Sequence, residues 1–236
     1  MIKLNFTILL LFPIFIFGQN SIFVTYKVNK KVEDSIFTNY YTLEISPNKS
    51  SYFYEKNMES KDSLGIFSER IIEKNYKSNI ITHYEKIQGN YFCFDEKTDL
   101  SFEMTNCQKE NLKCAKLKTK NDLWNIEFST DYPFSDGPYK FYGLPGLIFN
   151  ISNSNDTFTI KLIEIKEKKV TIDLKKILSS AKKTNKKKFL KAKAVESSNK
   201  FLLDDFSNLG VSKSDINIIE NMLKASSSSD LFNDFD

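Results

Sequence analysis

One histidine and one tryptophan occur in 236 residues, and cysteine is limited to three. His83 sits in Thr82-His83-Tyr84 with no nucleophile or metal partner close in sequence, so a histidine-based catalytic set has no local support. Cys93, Cys107 and Cys114 show no zinc-ligand spacing, and no cofactor is indicated. Only seven glycines are present, and none opens a Gly-Lys-Ser/Thr phosphate loop. After residue 17 no run is apolar enough to cross a bilayer, which takes about 20 apolar residues.

The N-terminus is the exception to that polarity. Lys3, the apolar run from Leu9 to Phe17 and the small-to-polar step Gly18-Gln19-Asn20 read as a cleaved export signal over 1–19. The mature chain is then expected in the periplasm or outside the cell, soluble or peripheral and not membrane-spanning. Phe and Tyr number 21 and 11, an enrichment that favours strands. Charge is placed unevenly. Residues 166–200 hold thirteen lysines against three acids, whereas 201–236 hold seven acids against two lysines.

Alternation defines the strands. Ile22, Val24, Tyr26 and Val28 share one face, as do Phe37, Tyr41, Leu43 and Ile45 before the turn Pro47-Asn48-Lys49. Further strands are expected at 80–84, 90–94, 100–104, 123–128 and 147–152, with a hairpin turn at Asn153–Asp156. Residues 62–74 fit a helix or a strand. Short strands and polar turns predict a mainly β fold: a single antiparallel sheet, open or curled into a half-open barrel, with a short C-terminal helix. The organisation reads as signal 1–19, β-rich domain 20–174, lysine-rich linker 175–200 (or a frayed basic helix), helical segment 201–225 and low-complexity tail 226–236. The helix is placed at 213–224 by Ile216, Ile219 and Leu223.

The most informative stretch is 132–148. Gly137, Pro138, Gly143, Pro145 and Gly146 concentrate the residues that let a backbone reverse sharply, and Leu147 then enters a strand. Tyr132, Phe134, Tyr139, Phe141 and Tyr142 surround this turn. They read either as a contact surface for a ligand or partner, or as rings packed under the sheet. Cys107 and Cys114 are spaced to close a short loop in an oxidising compartment, although Cys93 paired with either remains open.

Gly143-Leu144-Pro145-Gly146-Leu147-Ile148 spells the hexapeptide that names the GLPGLI family of exported Gram-negative envelope proteins, and the chain resembles that family. Cys114-Ala115-Lys116, Pro133 and Gly137-Pro138 resemble its flanking pattern, and the likeness spans about 107–165. Where members commonly carry Gly-Arg and then Ala-Trp-Tyr-Thr, this chain has Asn121-Asp122 and Ile126-Glu127-Phe128-Ser129, so any role of that arginine or tryptophan is absent. The family has no established activity. The resemblance implies export, and the frequent occurrence of members beside outer-membrane receptors hints at such a partner.

Three functions follow as expectations. The first is a non-enzymatic binding or carrier module for an apolar or peptide ligand, with the 132–148 loop at the rim of a concave sheet. The second is an accessory subunit of an outer-membrane receptor or transport system. The third is a carboxylate-dependent hydrolase, for which the sequence does not show which acids converge. Specific nucleic-acid binding is disfavoured, because the lysine run lacks a stacking platform.

Overall fold

The computed structural model describes residues 21–54, 70–107, 109, 111–168 and 174–200. The expected signal over 1–19, the helix over 213–224 and the tail from 226 lie outside them.

The alternating apolar residues of the first third form two long paired strands, β1 (Ser21–Val32) and β2 (Ser35–Ser46), followed by β3 (Lys49–Tyr54). A meander continues through β4 (Ile71–Asn75), β5 (Ile80–Ile87) and β6 (Asn90–Lys97). The second half adds β7 (Phe102–Thr105), β8 (Lys113–Lys118), β9 (Leu123–Ser129), β10 (Leu147–Asn153) and β11 (Phe158–Lys168). The C-terminal part holds α1 (Lys175–Ser180), the two-residue β12 (Lys182–Lys183) and α2 (Lys186–Lys200). The ambiguous 62–74 stretch thus ends in a strand.

Among the described residues these strands form one sheet in the order β12-β6-β5-β4-β3-β2-β1-β11-β10-β9-β8-β7. The ends β12 and β7 do not pair, so the sheet stays open rather than closing into a barrel. The fold class is the mainly β one that alternation predicted. Its single departure from antiparallel pairing among these strands is β12, which runs parallel to β6 because the chain reaches that edge through α1. Two register shifts interrupt the ladders, at Thr25/Tyr26 in the β1–β11 pair and at Ile148/Asn150 in the β10–β9 pair. Bulges of this kind increase local twist and bend the sheet.

Both faces of the sheet are covered at its β4–β6 end. On one face Val24, Tyr26, Leu43, Tyr52, Ile72, Ile81, Phe94 and Phe128 belong to the main core. The segment between β9 and β10 lies across this face and contributes Tyr139, Phe141 and Leu144. Trp124 meets Phe141 and Phe158 edge-on, at ring distances of 5.6 and 6.0 Å. Burying Phe141 completely excludes a large ring from water, and truncating such a ring costs about 3–5 kcal/mol. The opposite face carries Phe53, Ile71, Tyr84 and Cys93, packed with Leu174, Leu178 and Ala181 around α1.

The 175–200 stretch, set apart by composition as a linker or basic helix, forms α1, β12 and α2 and packs on the sheet through Leu178, Ala181, Phe189 and Leu190. Cys93 and Phe94 point to opposite faces of β6. Because Leu174 packs with Cys93 and Phe189 with Phe94, the chain passes round the β6 edge and clasps both sides. Cys107 and Cys114 are disulfide-bonded across the β7–β8 hairpin, and Cys93 is a buried free thiol. Among the described residues no helix is long and apolar enough to cross a membrane.

Candidate functional site

The segment 130–146 is shaped by its own hydrogen bonds. Phe141 N–H donates to Pro138 O at 3.1 Å, and Gly143 N–H donates to Ser135 O at 3.2 Å. Ser135 Oγ donates to Leu144 O at 2.7 Å, and Ile148 N–H donates to Asp136 O at 3.0 Å. Gly143 has φ +104°, a left-handed value that favours glycine, and Tyr139 holds φ 54° at the tightest part of the turn. Gly146 is required for a different reason. A Cβ there would sit 2.2 Å from the backbone oxygen of Ser129, so the glycine allows β9 and β10 to begin their pairing in close contact.

Two buried ionic clusters tie this segment to the sheet. Asp136 Oδ1 accepts from Lys74 Nζ, which also donates to Gly137 O at 2.5 Å. Asp136 Oδ2 accepts from Tyr76 Oη at 2.5 Å. Lys74 and Asp136 are each 1 % exposed, and burial pulls the Lys74 ammonium below its ordinary pKa despite the facing carboxylate. Burial, reinforced by Asp136, pushes the Tyr76 hydroxyl well up.

The second cluster centres on Glu96. Lys140 Nζ lies 2.7 Å from Glu96 Oε2, Lys186 Nζ is 3.1 Å from Oε1, and His83 Nε2 is 3.0 Å from Oε2. Burial would raise the Glu96 pKa, but the His83 hydrogen bond and Lys140 outweigh it and hold the carboxyl well below its ordinary range. His83 is fully enclosed and stacked on Phe94 at 4.7 Å; burial lowers its pKa to about 4, so it is neutral at physiological pH. Beside it, Arg70 reaches Glu85 at 2.8 Å and the Tyr139 hydroxyl at 3.4 Å, and Lys193 adds a second cation to Glu85. These carboxylates are committed to cations that anchor a loop and a helix, which is a structural arrangement.

An open cleft lies elsewhere. A half-open cleft of about 570 Å³ lies where the β1 and β2 strand ends meet the 133–143 stretch. Ile22, Ile45 and Pro47 form one wall, with Tyr76 and Asn79 from the β4–β5 turn beside them. Pro133, Phe134, Ser135, Tyr142 and Gly143 form the other. Among the described residues no carboxylate, lysine or arginine lines it, although Asp136 lies behind Tyr76. The volume falls in the range of small-ligand sites, and the lining is mainly apolar with a few hydroxyl and amide groups.

The aromatic residues expected to offer contact surface therefore separate. Phe134 and Tyr142 line the cleft. Tyr132 is exposed and leans on Phe149, with ring centroids 5.7 Å apart. Tyr139 and Phe141 are enclosed in the core, so for these two the packed reading replaces the contact reading: the turn at Pro138 directs both inward. Gly137, Pro138, Gly143, Pro145 and Gly146 all occupy the reversing stretch. Sequence reading missed Arg70, Lys74, Glu85, Glu96, Asp136 and Lys140. One signal was available, since Arg70, Ile72, Lys74 and Tyr76 alternate onto the face that Ile72 buries. Among the described residues no group of three or more His, Cys, Asp or Glu side chains is placed to hold a metal.

No family model matches the sequence, and no curated protein matches it. Among solved structures, PNGF-II in two crystal forms superposes on 73% of this chain with a TM-score of 0.56 and 16% identity. The chain spans about a third of the length of that protein, 32% and 33% in the two forms. At this identity the likeness concerns the fold alone. An uncharacterized conserved protein from Thermus thermophilus aligns over 70% of this chain and 90% of its own length, at a TM-score of 0.37 and 7% identity.

Proposed function

We propose that this domain is a non-enzymatic binding module that takes an uncharged, mainly apolar ligand, or an apolar peptide side chain, in the cleft between the β1–β2 strand ends and residues 133–143. The observation that carries this reading is the cleft itself: about 570 Å³ of open, mostly apolar space with no charged side chain among the described residues of its wall. The nearby acids favour binding over hydrolysis, because Glu85, Glu96 and Asp136 are each engaged by buried or half-buried cations rather than aimed into the cleft. The GLPGLI-like hexapeptide supports placing the protein among exported envelope proteins. The export signal expected over 1–19 and the Cys107–Cys114 disulfide agree with an oxidising compartment.

The reading is tested by fluorescence titration with N-phenyl-1-naphthylamine, a neutral apolar probe. Saturable binding to the wild type, weakened at least ~10-fold by Ser46→Trp at unchanged melting temperature, supports it. Probe binding that ignores Ser46→Trp, or no saturable binding, contradicts it.

A further inference from the structure

The rotation of α2 about its own axis is fixed by the residues it turns toward the sheet. Phe189 is 1 % exposed and packs on Phe94 at 4.8 Å. Leu190 packs against the same core. Lys186 and Lys193 point the same way and are taken up by Glu96 and Glu85, each at 3.1 Å. Asn185 accepts the Lys188 N–H at 2.9 Å and starts the helix. With 3.6 residues per turn, this arrangement sends Lys187, Lys188 and Lys191 into one outward sector roughly 100° wide. All three are exposed, as is Lys182 on β12 just before the helix. Lys183, by contrast, is paired with Asp95 at 2.7 Å. Among the described residues no carboxylate meets Lys182, Lys187, Lys188 or Lys191.

We propose that this outward lysine face of α2 docks the protein on the anionic headgroups of a lipid bilayer. Lys186 and Lys193 are held in structural pairs, and Lys187, Lys188 and Lys191 present a single-sign surface. Such a surface fits a plane of phosphates, and clustered lysines are attracted to anionic membranes without insertion. No aromatic among the described residues occupies the outward sector to stack on bases, so a nucleic acid is the poorer fit. The competing occupant is residues 201–236 of the same chain, which carry seven acids against two lysines.

The test is co-sedimentation of the full mature chain with phosphatidylcholine vesicles, with and without about 30% phosphatidylglycerol. It is run at ~50 and ~300 mM salt, because screening must weaken such contacts. Partitioning should favour the anionic vesicles, fall at high salt, and drop about 5-fold per lysine removed in the series ending at K182Q/K187Q/K188Q/K191Q, with the melting temperature unchanged. Equal partitioning to neutral and anionic vesicles overturns the proposal, as does full binding by the quadruple variant. Binding that appears only after deletion of 201–236 also overturns it and assigns the face to the chain's own acidic segment. Complete displacement from the vesicles by a non-specific DNA duplex at equal phosphate concentration overturns it in favour of nucleic acid.

Discussion

Gly146 and Ser129 touch where β10 leaves the loop: a Cβ on Gly146 would stand 2.2 Å from the Ser129 carbonyl oxygen and 2.7 Å from its carbon. Backbone cannot yield there without breaking the Leu147–Ser129 pairing that starts the β9–β10 ladder. Gly146→Ala is therefore expected to destabilise by about 2–4 kcal/mol, since Leu147 and Ile148, both fully buried, would be displaced with it. Gly143→Ala meets only Phe102 at 3.9 Å, and its cost is the left-handed φ alone, about 1 kcal/mol. Denaturant melts of the two variants check the order, and a larger loss at Gly143 would contradict it.

The Lys74–Asp136 pair is enclosed on both sides, so removing one partner strands the other charge. Lys74→Met should cost about 3–5 kcal/mol, and adding Asp136→Asn to it should recover part of that loss. Equilibrium unfolding of the single and double variants measures the coupling. Strictly additive losses would show that the pair does not act as a unit.

Acid sensitivity follows from His83. Its folded pKa is about 4, whereas an unfolded histidine titrates near 6.5, so between these values the unfolded chain binds a proton that the folded chain refuses. Stability falls as pH drops from about 6.5 to 4 and levels off below, a loss of up to about 3 kcal/mol from this residue. Glu96, held low by His83 and Lys140, adds a further loss as pH falls below the ordinary carboxylate range. The slope of stability against pH between about 4.5 and 6.5 should flatten in His83→Gln. An unchanged slope would show that His83 is not the group responsible.

The strands were legible in the sequence because period-two alternation is written in residues such as Ile22, Val24, Tyr26 and Val28. The reversal around Gly143 and Gly146 was legible too, but not the two different reasons for its glycines. Gly143 needs a left-handed φ, while Gly146 needs space beside a strand that is distant until the chain folds. The aromatic residues of 132–142 could not be sorted by composition, since only the turn at Pro138 decides that Tyr139 and Phe141 face inward while Tyr142 borders the cleft. The ionic clusters were least visible. Lys140 and Glu96, or Lys74 and Asp136, are remote in sequence and paired only by the segment's path across the sheet.

The Cys107–Cys114 bond closes a short loop at the β7 edge of the sheet, while Cys93 stays reduced on the other half. Thiol titration of the denatured, unreduced protein should therefore find one reactive group per chain. Cys107→Ser with Cys114→Ser should cost about 2 kcal/mol, the scale expected for so short a loop. Three free thiols, or a Cys93-containing peptide pair in non-reducing mapping, would contradict this pairing.

The cleft as a ligand site is tested most directly by methyl NMR of the isoleucine-labelled protein during titration with N-phenyl-1-naphthylamine. Ile22 and Ile45 lie in the cleft wall, whereas Ile163 is exposed on β11 and Ile72 is buried beneath the loop segment. Saturable shifts are expected at Ile22 and Ile45, with Ile163 and Ile72 unmoved. Shifts centred on Ile163, or spread evenly over all isoleucines, would contradict a ligand site in the cleft.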